Sequence, residues 1–277
     1  MLGTATTLGG DVQNRLNESV WRSEDFVSGW YTTRLLRPVE VLLLVRYREA
    51  LRGRVLELGC GGGRLTGYLV QIGGNVLGID ISPRMVDYCR QTYPEGTYRV
   101  GDLGRLADLE RGVFDVVVMG NNLIDVLDNA SRLRTISEIA TLLTQGGLLI
   151  MSSHNRACDR SPLSPLRAAR GGGVITTLRH GKQIPWWILN RRRLRRYEYE
   201  AETYAVRNDE AHDFRLLHYY VTRDDQERQF EEVGYHLIEC FDQEGRLVAR
   251  GSSAAHDGEL HYVARPATKE HGPPGPP

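Results

Sequence analysis

The sequence has few lysines, no paired cysteines and no long apolar run, and these absences exclude several classes of protein. Of its 35 basic residues only Lys182 and Lys269 are lysine. The formal net charge is zero, so no overall field attracts nucleic acid or a membrane surface. The four cysteines form no Cys-x-x-Cys pair and no metal-like grouping with histidine. They indicate free thiols in a reducing compartment, and no metal is expected.

Apolar runs are too short for a membrane helix, which needs about 20 residues. The run from Val41 to Val45 is followed directly by Arg46. The N-terminus has neither a basic start nor an apolar signal core. We therefore expect a cytoplasmic protein with no membrane partner. The oligomeric state is left open, a homodimer included.

A glycine-rich bend follows the first buried strand that the sequence predicts. The stretch from Val55 to Gly63 begins with mostly apolar residues and ends in Gly-Cys-Gly-Gly-Gly. Arg64-Leu65-Thr66 then starts a helix, whose free N–H groups and positive dipole end point at whatever lies in the bend. Glycine at 59, 61 and 63 lets the backbone approach a ligand closely. The pattern predicts a ligand-binding bend.

An acid follows the second predicted strand at an informative distance. That strand, Asn75 to Ile79, ends in Asp80. A carboxylate about 20 residues after the first glycine of such a bend is well placed to accept hydrogen bonds from the two hydroxyls of a ribose. Bend and acid together indicate a cofactor that contains a nucleoside.

Glu57 indicates which nucleoside cofactor this is. A dinucleotide would bring a pyrophosphate to the bend, and a carboxylate there would do nothing for that charge. S-adenosylmethionine brings an ammonium and a sulfonium instead. An acid can stabilise these positive charges by direct contact, or it can act by ordering the loop. The motif Glu-Leu-Gly-Cys-Gly-Gly-Gly at 57–63, followed by Gly-Ile-Asp at 78–80, resembles the class I S-adenosylmethionine-dependent methyltransferases.

The fold expected from the residues and from the resemblance is α/β. Strands alternate with helices from about residue 53 to 155, which predicts a doubly wound, mostly parallel sheet. The resemblance covers this stretch well and residues 222 to 265 loosely, and it implies seven strands. An N-terminal helical cap and an inserted lid with a β-hairpin complete the expected fold. The expected segments are a partly disordered cap at 1–36, the cofactor-binding core at 37–155, the insertion at 156–221, the end of the core sheet at 222–265 and a disordered tail at 266–277.

The resemblance implies further cofactor contacts where strands end. Asp102 with Leu103 would lie near the adenine amino group. Gly120, Asn121 and Asn122 would face the methionine end and the reacting methyl. Ordinary turn chemistry is the alternative for Asp102 and for both asparagines.

Two further pairs of residues are weaker candidates for cofactor contact. Ile81 and Met85 either pack on the adenine or belong to the core, and Tyr31 or Arg34 is a candidate to reach the cofactor carboxylate. The full set of expected cofactor contacts is Tyr31, Arg34, Glu57, Gly59, Cys60, Gly61, Gly63, Asp80, Ile81, Met85, Asp102, Leu103, Gly120, Asn121 and Asn122.

Two histidines are candidate general bases. A sulfonium methyl is already activated, so the protein must align the acceptor, exclude water and in some cases remove a proton. His154 ends the fifth predicted strand, and imidazole titrates near working pH. His218 lies in the predicted hairpin. The alternatives are a histidine that caps the loop for His154 and a hairpin-face residue for His218.

All four tryptophans lie outside the predicted central sheet, in the N-terminal segment and in the insertion. Grouped aromatics there indicate an apolar acceptor pocket under a lid, although a small satellite core fits equally well. The residues expected to contact the substrate are Trp30, Trp186, Trp187, Tyr219 and Tyr220.

The leading interpretation is methyl transfer to oxygen or nitrogen of a small metabolite, with no nucleic acid partner. The first alternative is an RNA methyltransferase whose Arg191–Arg196 run binds phosphates. Acids at Glu198, Glu200 and Glu202 favour a solvated face for that run, and residues 121–124 lack the Asn/Asp-Pro-Pro-Tyr/Phe motif of base amino methyltransferases. A non-catalytic S-adenosylmethionine-binding protein is the second alternative.

Overall fold

A computed structural model describes residues 5–23, 35–158 and 183–267 of the chain. Before the insertion its elements are α1 (Ala5–Trp21), α2 (Pro38–Arg46), α3 (Arg48–Leu51), β1 (Arg54–Leu58), α4 (Thr66–Ile72), β2 (Asn75–Asp80), α5 (Pro83–Thr92), β3 (Thr97–Val100), β4 (Phe114–Met119), a 3-10 helix (Leu123–Val126), α6 (Asn129–Leu142) and β5 (Leu143–Asn155). After it come α7 (Ile184–Leu194), β6 (Tyr199–Glu200), β7 (Tyr204–Arg207), β8 (His218–Val221), α8 (Arg223–Glu232), β9 (Tyr235–Phe241) and β10 (Glu259–Pro266).

The strands form one sheet that confirms the expected fold class. Strands β3, β2, β1, β4 and β5 lie side by side in that order and are parallel. Strand β10 pairs antiparallel with β5, and β9 pairs antiparallel with β10, which completes seven strands. The ligand side of such a sheet is the edge where the parallel strands end.

Alternating apolar residues in the parallel strands bury both faces of the sheet. In β4, Val117 and Met119 pack toward α6, whereas Val116 and Val118 pack toward α2 and α4. Because neighbouring residues of a strand point to opposite faces, a fully apolar strand needs helices on both sides. The sheet is therefore doubly wound, as the sequence predicted.

Polar N-cap residues determine where two of the helices begin. The Ser82 side chain accepts a hydrogen bond from the Met85 N–H, and Pro83 occupies the first turn of α5. Asp128 caps α6 by accepting from the Ser131 N–H at 2.8 Å. The Ser82 cap places the start of α5 directly after β2, beside the ligand edge, and the Asp128 cap starts α6 after the 3-10 helix that follows β4.

The insertion adds strands to the same sheet. Strands β7 and β8 form the predicted antiparallel hairpin, with the two-residue strand β6 on its outer side. The end of β5 pairs parallel with β8, through His154 opposite Tyr220. This register brings the two candidate bases, His154 and His218, to one place.

Helix α7 was not anticipated. It contains Trp186 and Trp187, and it begins with Pro185 in its first turn, a position that favours helix formation. Helix α1 belongs to the expected N-terminal helical cap, although its residues showed no clear apolar period in the sequence.

Amide side chains hold the second half of helix α1 in place. Asn17 donates to the carbonyl oxygens of Val126 and Leu217 at 2.7 Å each and accepts from the Leu217 N–H at 3.0 Å. Gln13 donates to the Leu127 carbonyl at 3.1 Å. Because amide side chains make these contacts, they add no apolar periodicity that a sequence pattern could detect.

No helix within these described ranges is both long and apolar enough to cross a bilayer.

Candidate functional site

The glycine-rich bend lies at the end of β1 and keeps one side open. Gly59 and Gly61 have φ of +69° and +51°, a region that glycine adopts without strain. A Cβ on Gly61 would meet no atom closer than 4.0 Å, whereas one on Gly63 would meet the Tyr93 ring at 2.5 Å. Gly61 therefore leaves space for a ligand, and Gly63 allows close packing behind the bend.

Asp80 is fixed against the bend with both carboxylate oxygens engaged. The Gly61 N–H donates to Oδ2 and the Ser82 N–H donates to Oδ1, both at 2.9 Å. Burial raises the pKa of Asp80, although these backbone donors act in the opposite direction. Each carboxylate oxygen can accept a further hydrogen bond, so the pair suits two neighbouring hydroxyl groups.

Glu57 lies beneath the bend and not on its open side. Its carboxylate accepts a hydrogen bond from the Thr66 hydroxyl at the start of α4, and the residue is 4% exposed. Burial raises the pKa of Glu57 to about 7. Of the two roles considered for this acid, the geometry favours ordering of the loop over direct contact with a ligand.

A cavity of about 1660 Å³ opens in front of the bend. One half of it is bounded by the ends of β1, β2, β3 and β4. The expected cofactor residues that line this half are Gly59, Cys60, Gly61, Asp80, Ile81, Met85, Asp102, Leu103, Gly120, Asn121 and Asn122. Asp102 also accepts a hydrogen bond from the Gly104 N–H at 2.8 Å. It therefore stabilises its own turn and lines the cavity at the same time.

The turn after β4 is strained and firmly held. Asn121 and Asn122 both adopt left-handed φ, at +53° and +54°. The Asn122 N–H donates to Ser152 Oγ at 2.8 Å, and its amide donates to Glu259 at 3.0 Å. Asn121 accepts from Arg64 at 3.0 Å. Two consecutive residues in this conformation persist only when their surroundings fix them, which is typical of ligand sites.

Ion pairs connect the start of α2 to the surroundings of this turn. Arg64 binds the Glu40 carboxylate through both terminal nitrogens, and Arg37 pairs with Glu259. Burial would raise the pKa of Glu40, but Arg64 outweighs it and holds the pKa below its usual value. The partly buried Arg64 thereby becomes a rigid side of the cavity.

The other half of the cavity contains an oriented histidine. Asp125 Oδ2 accepts from the His154 backbone N–H and from its ring Nδ1, both at 2.7 Å. Buried Arg132 and Ser153 bind the other oxygen of Asp125. Since a carboxylate only accepts, Nδ1 carries the proton and Nε2 remains an acceptor. Burial would lower the pKa of His154, but Asp125 outweighs it and raises the pKa.

A second carboxylate–histidine pair lies next to the first. His218 Nδ1 is 3.1 Å from Asp209 Oδ1, and the Tyr220 hydroxyl donates to Asp209 Oδ2. The His154 and His218 rings are 5.0 Å apart between centroids. Burial would raise the pKa of Asp209, but the neighbouring His218 holds it well below its usual value. The arrangement can accept a proton and can bind a group rich in donors.

Comparison with known proteins bears on the half of the cavity that the glycine-rich bend bounds. A family profile described as "Methyltransferase domain" matches residues 56–151, which span β1 to β5. The chain contains a class I methyltransferase domain. S-adenosylmethionine is the cofactor of this domain class, and the open Gly61, the paired acceptor oxygens of Asp80 and the cavity beside them fit an adenosyl group.

Relatives of the methyltransferase domain include a ubiquinone biosynthesis O-methyltransferase of Xanthomonas axonopodis pv. citri. It is 34% identical over 125 residues, which are 44% of this chain and 51% of the relative. The chain thus matches about half the length of the curated relative.

Solved structures share the fold over about nine tenths of the chain. The CcbJ methyltransferase of Streptomyces caelestis superposes with a TM-score of 0.60 at 18% identity, over 90% of this chain and 99% of that one. The 1,6-didemethyltoxoflavin-N1-methyltransferase of Burkholderia thailandensis gives 0.58 at 14% identity, over 93% and 90%.

Several residues expected at the site do not line the cavity. Tyr219 points to the opposite face of β8 from His218 and Tyr220, as strand alternation requires, and its hydroxyl bonds to Asn129 and Gln229. Glu57 and Gly63 are behind the bend.

The tryptophans of the insertion also lie away from the cavity. Trp186 is 58% exposed, and Trp187 packs on Phe214 in a satellite cluster, which was the alternative considered for these residues. Trp30, Tyr31 and Arg34 lie outside the described residues.

Asp125 and Asp209 were not anticipated as parts of the candidate site. Asp125 follows an apolar stretch in Leu-Ile-Asp-Val, and an acid among apolar residues is a signal that it needs a buried partner. Asp209 lies between β7 and β8, and no local pattern links it to His154.

Proposed function

We propose that the chain transfers a methyl group from S-adenosylmethionine to an oxygen or nitrogen of a small metabolite. The observation that carries this proposal is one continuous cavity, which joins the glycine-rich bend and Asp80 to the Asp125–His154 pair. A cofactor and an acceptor placed in its two halves would meet near the ends of β4 and β5.

In the proposed mechanism, Asp80 binds the ribose hydroxyls and Asp102 lies near the adenine amino group. Gly59 and Gly61 accommodate the methionine part, and Gly120 and Asn121 face the reacting end. The bound sulfonium supplies an activated methyl group, so no covalent enzyme intermediate is required.

His154 is the proposed general base. His154 Nε2 would take the proton of the acceptor atom as that atom receives the methyl group. Asp125 fixes the ring so that Nε2, and not Nδ1, faces the acceptor. The ion pair stabilises the imidazolium that forms, and solvent then takes the proton.

A small acceptor is favoured over RNA by the surroundings of the arginine run. Arg191 pairs with Glu198, and Arg196 lies over the Tyr197 ring. None of the residues 191–196, all of them described, lines the cavity. The names of the relatives above, for ubiquinone biosynthesis and for a toxoflavin precursor, also refer to small acceptors.

Replacement of His154 tests this function. Turnover of His154→Gln on an accepted substrate should fall by about 10²-fold or more, because general base catalysis typically contributes that much. Affinity for S-adenosylhomocysteine, measured by calorimetry, should be unchanged. His236→Gln, an exposed histidine on β9, is the matched control and should keep full turnover.

An undiminished rate in His154→Gln would remove this residue as the base. Cofactor binding without turnover across phenolic, hydroxyl and amine acceptors would favour the non-catalytic alternative. Binding to tRNA that weakens steeply with salt would favour the RNA methyltransferase.

A further inference from the structure

The two carboxylate–histidine pairs bring two imidazoles close together in the cavity, with ring centroids 5.0 Å apart. In His154 the ring Nδ1 is occupied by Asp125, so Nε2 is an acceptor in the neutral ring. In His218 the ring Nδ1 lies 3.1 Å from Asp209 Oδ1, and an ion that replaces the proton between these two atoms would be bound by both. One nitrogen from each ring is therefore a candidate ligand for a cation.

Asp209 adds an oxygen to this set. One candidate ligand atom from each of His154, Asp209 and His218 lies within 4.8 Å of the others. His218 is buried and His154 is half-buried, and all three residues line the cavity. Small side-chain rotations would bring these atoms to the shorter separations found around a bound ion.

The residue types indicate the class of ion. Two imidazoles and one carboxylate suit first-row transition metals such as zinc, cobalt or iron, whereas magnesium and calcium prefer sites made of oxygen alone. Metal-binding histidines usually donate their other ring N–H to a carboxylate, which fixes the ring and its tautomer. Asp125 does this for His154.

We propose that His154, His218 and Asp209 form a binding site for one divalent transition-metal ion in the acceptor half of the cavity. Tyr220 would hold the Asp209 carboxylate by its hydroxyl hydrogen bond while the opposite oxygen turns to the ion. The buried ion pair of Asp125 with Arg132 would keep His154 in place. The three ligands leave coordination positions open toward the cavity.

Metal binding has a consequence that rests on the proposed function. His154 Nε2 would receive the acceptor proton in the metal-free enzyme, and the same nitrogen would coordinate the ion. The proton and the ion therefore compete, and a bound ion should lower turnover wherever His154 acts as the base.

Cobalt(II) binding to the full chain tests the site directly. After dialysis against a chelator, titration with Co²⁺ should produce visible absorption that saturates at one equivalent, with the same stoichiometry by calorimetry. His218→Gln and Asp209→Asn should each weaken binding at least tenfold. His236→Gln should bind as the unaltered chain does.

The same titration gives the results that would overturn the proposal. Absence of Co²⁺ binding in the unaltered chain overturns it, and so does binding that neither His218→Gln nor Asp209→Asn weakens, which would mark an adventitious ion only. Far-ultraviolet circular dichroism verifies that both variants are folded. If Asp209→Asn fails this check, His218→Gln decides.

The metal site and the proposed function can fail separately. Co²⁺ binding requires no turnover, so a chain that binds one ion but transfers no methyl group retains the site and loses the function. In an active enzyme, one equivalent of Zn²⁺ should lower turnover at least tenfold. A rise in turnover would contradict the competition for His154.

Discussion

At the scale of single residues, Glu57 shows how burial links a side chain to pH. Its carboxyl group is buried under the bend and its pKa is raised from 4.5 to about 7. A raised folded-state pKa means that the native protein holds a proton which the unfolded chain releases. The contribution of Glu57 to stability is therefore fully present below about pH 4.5 and is lost as the pH rises through about 7.

Glu57→Gln should remove this pH dependence. The unaltered protein should lose up to about 3 kcal/mol of unfolding free energy from this group between pH 4.5 and 7.5, because each unit of pKa shift corresponds to about 1.4 kcal/mol. Urea denaturation of both proteins across this range measures the difference. Parallel curves for the two proteins would contradict the prediction.

The ionisation of His154 should appear in the pH dependence of turnover. The base acts in its unprotonated form, and Asp125 raises its pKa above the usual 6.5. The kcat should therefore fall as the pH is lowered through an apparent pKa above 6.5, and His154→Gln should lack this limb. A rate that stays constant from pH 6 to pH 9 would exclude titration of a base in the rate-limiting step.

Residues of the cofactor half were predictable because their signals are local. Asp80 follows the bend at a spacing set by one strand–helix–strand unit, so a single stretch of sequence fixes both. The acceptor half has no such signal. Asp125, His154 and Asp209 come from separate elements. The register of β5 against β8 places His154 opposite Tyr220, which binds Asp209, whereas Asp125 reaches His154 from the 3-10 helix after β4.

At the scale of elements, Arg132 joins α6 to its neighbours. It is fully buried, pairs with Asp125 before α6, donates to Ser153 on β5 and to Gln226 on α8, and lies over the Tyr219 ring. A buried charge network of this kind must stay complete, since removal of one partner leaves the other charge uncompensated.

Arg132→Ala should lower the unfolding free energy by about 3–5 kcal/mol because it leaves Asp125 buried without its partner. Urea denaturation at constant pH measures this change. Arg193→Ala, an exposed arginine of α7, is the matched control and should stay within about 0.5 kcal/mol of the unaltered chain. A loss below 1 kcal/mol in Arg132→Ala would show that the network contributes little.

Elements differ in how far sequence patterns could find them. The parallel strands and α5 follow apolar runs and caps that act locally. Helix α1 depends on the contacts that Asn17 makes with Val126 and Leu217, which are distant in sequence. Strand β8 was expected, but strand alternation separates Tyr219 from Tyr220, and only one of them reaches the cavity.

At the scale of the whole molecule, one sheet joins two parts of the chain. Its first five strands form the methyltransferase domain, and the strands of the insertion extend it past the end of β5. The cavity lies where the two parts meet. The domain was predictable from the sequence because its motif resembles that of a known family. In the insertion only the hairpin with His218 was predicted, and Asp209 had no pattern to match.

Binding of S-adenosylhomocysteine to Asp80→Ala tests the account most directly, because the site is built outward from that carboxylate and the glycine-rich bend. By calorimetry, the variant should bind about 1–3 kcal/mol more weakly, a loss of roughly 5-fold to 150-fold through missing hydrogen bonds to a charged group. Asp108→Ala, an exposed acid away from the cavity, should bind normally. Equal affinity of Asp80→Ala and the unaltered chain would contradict the assigned cofactor site.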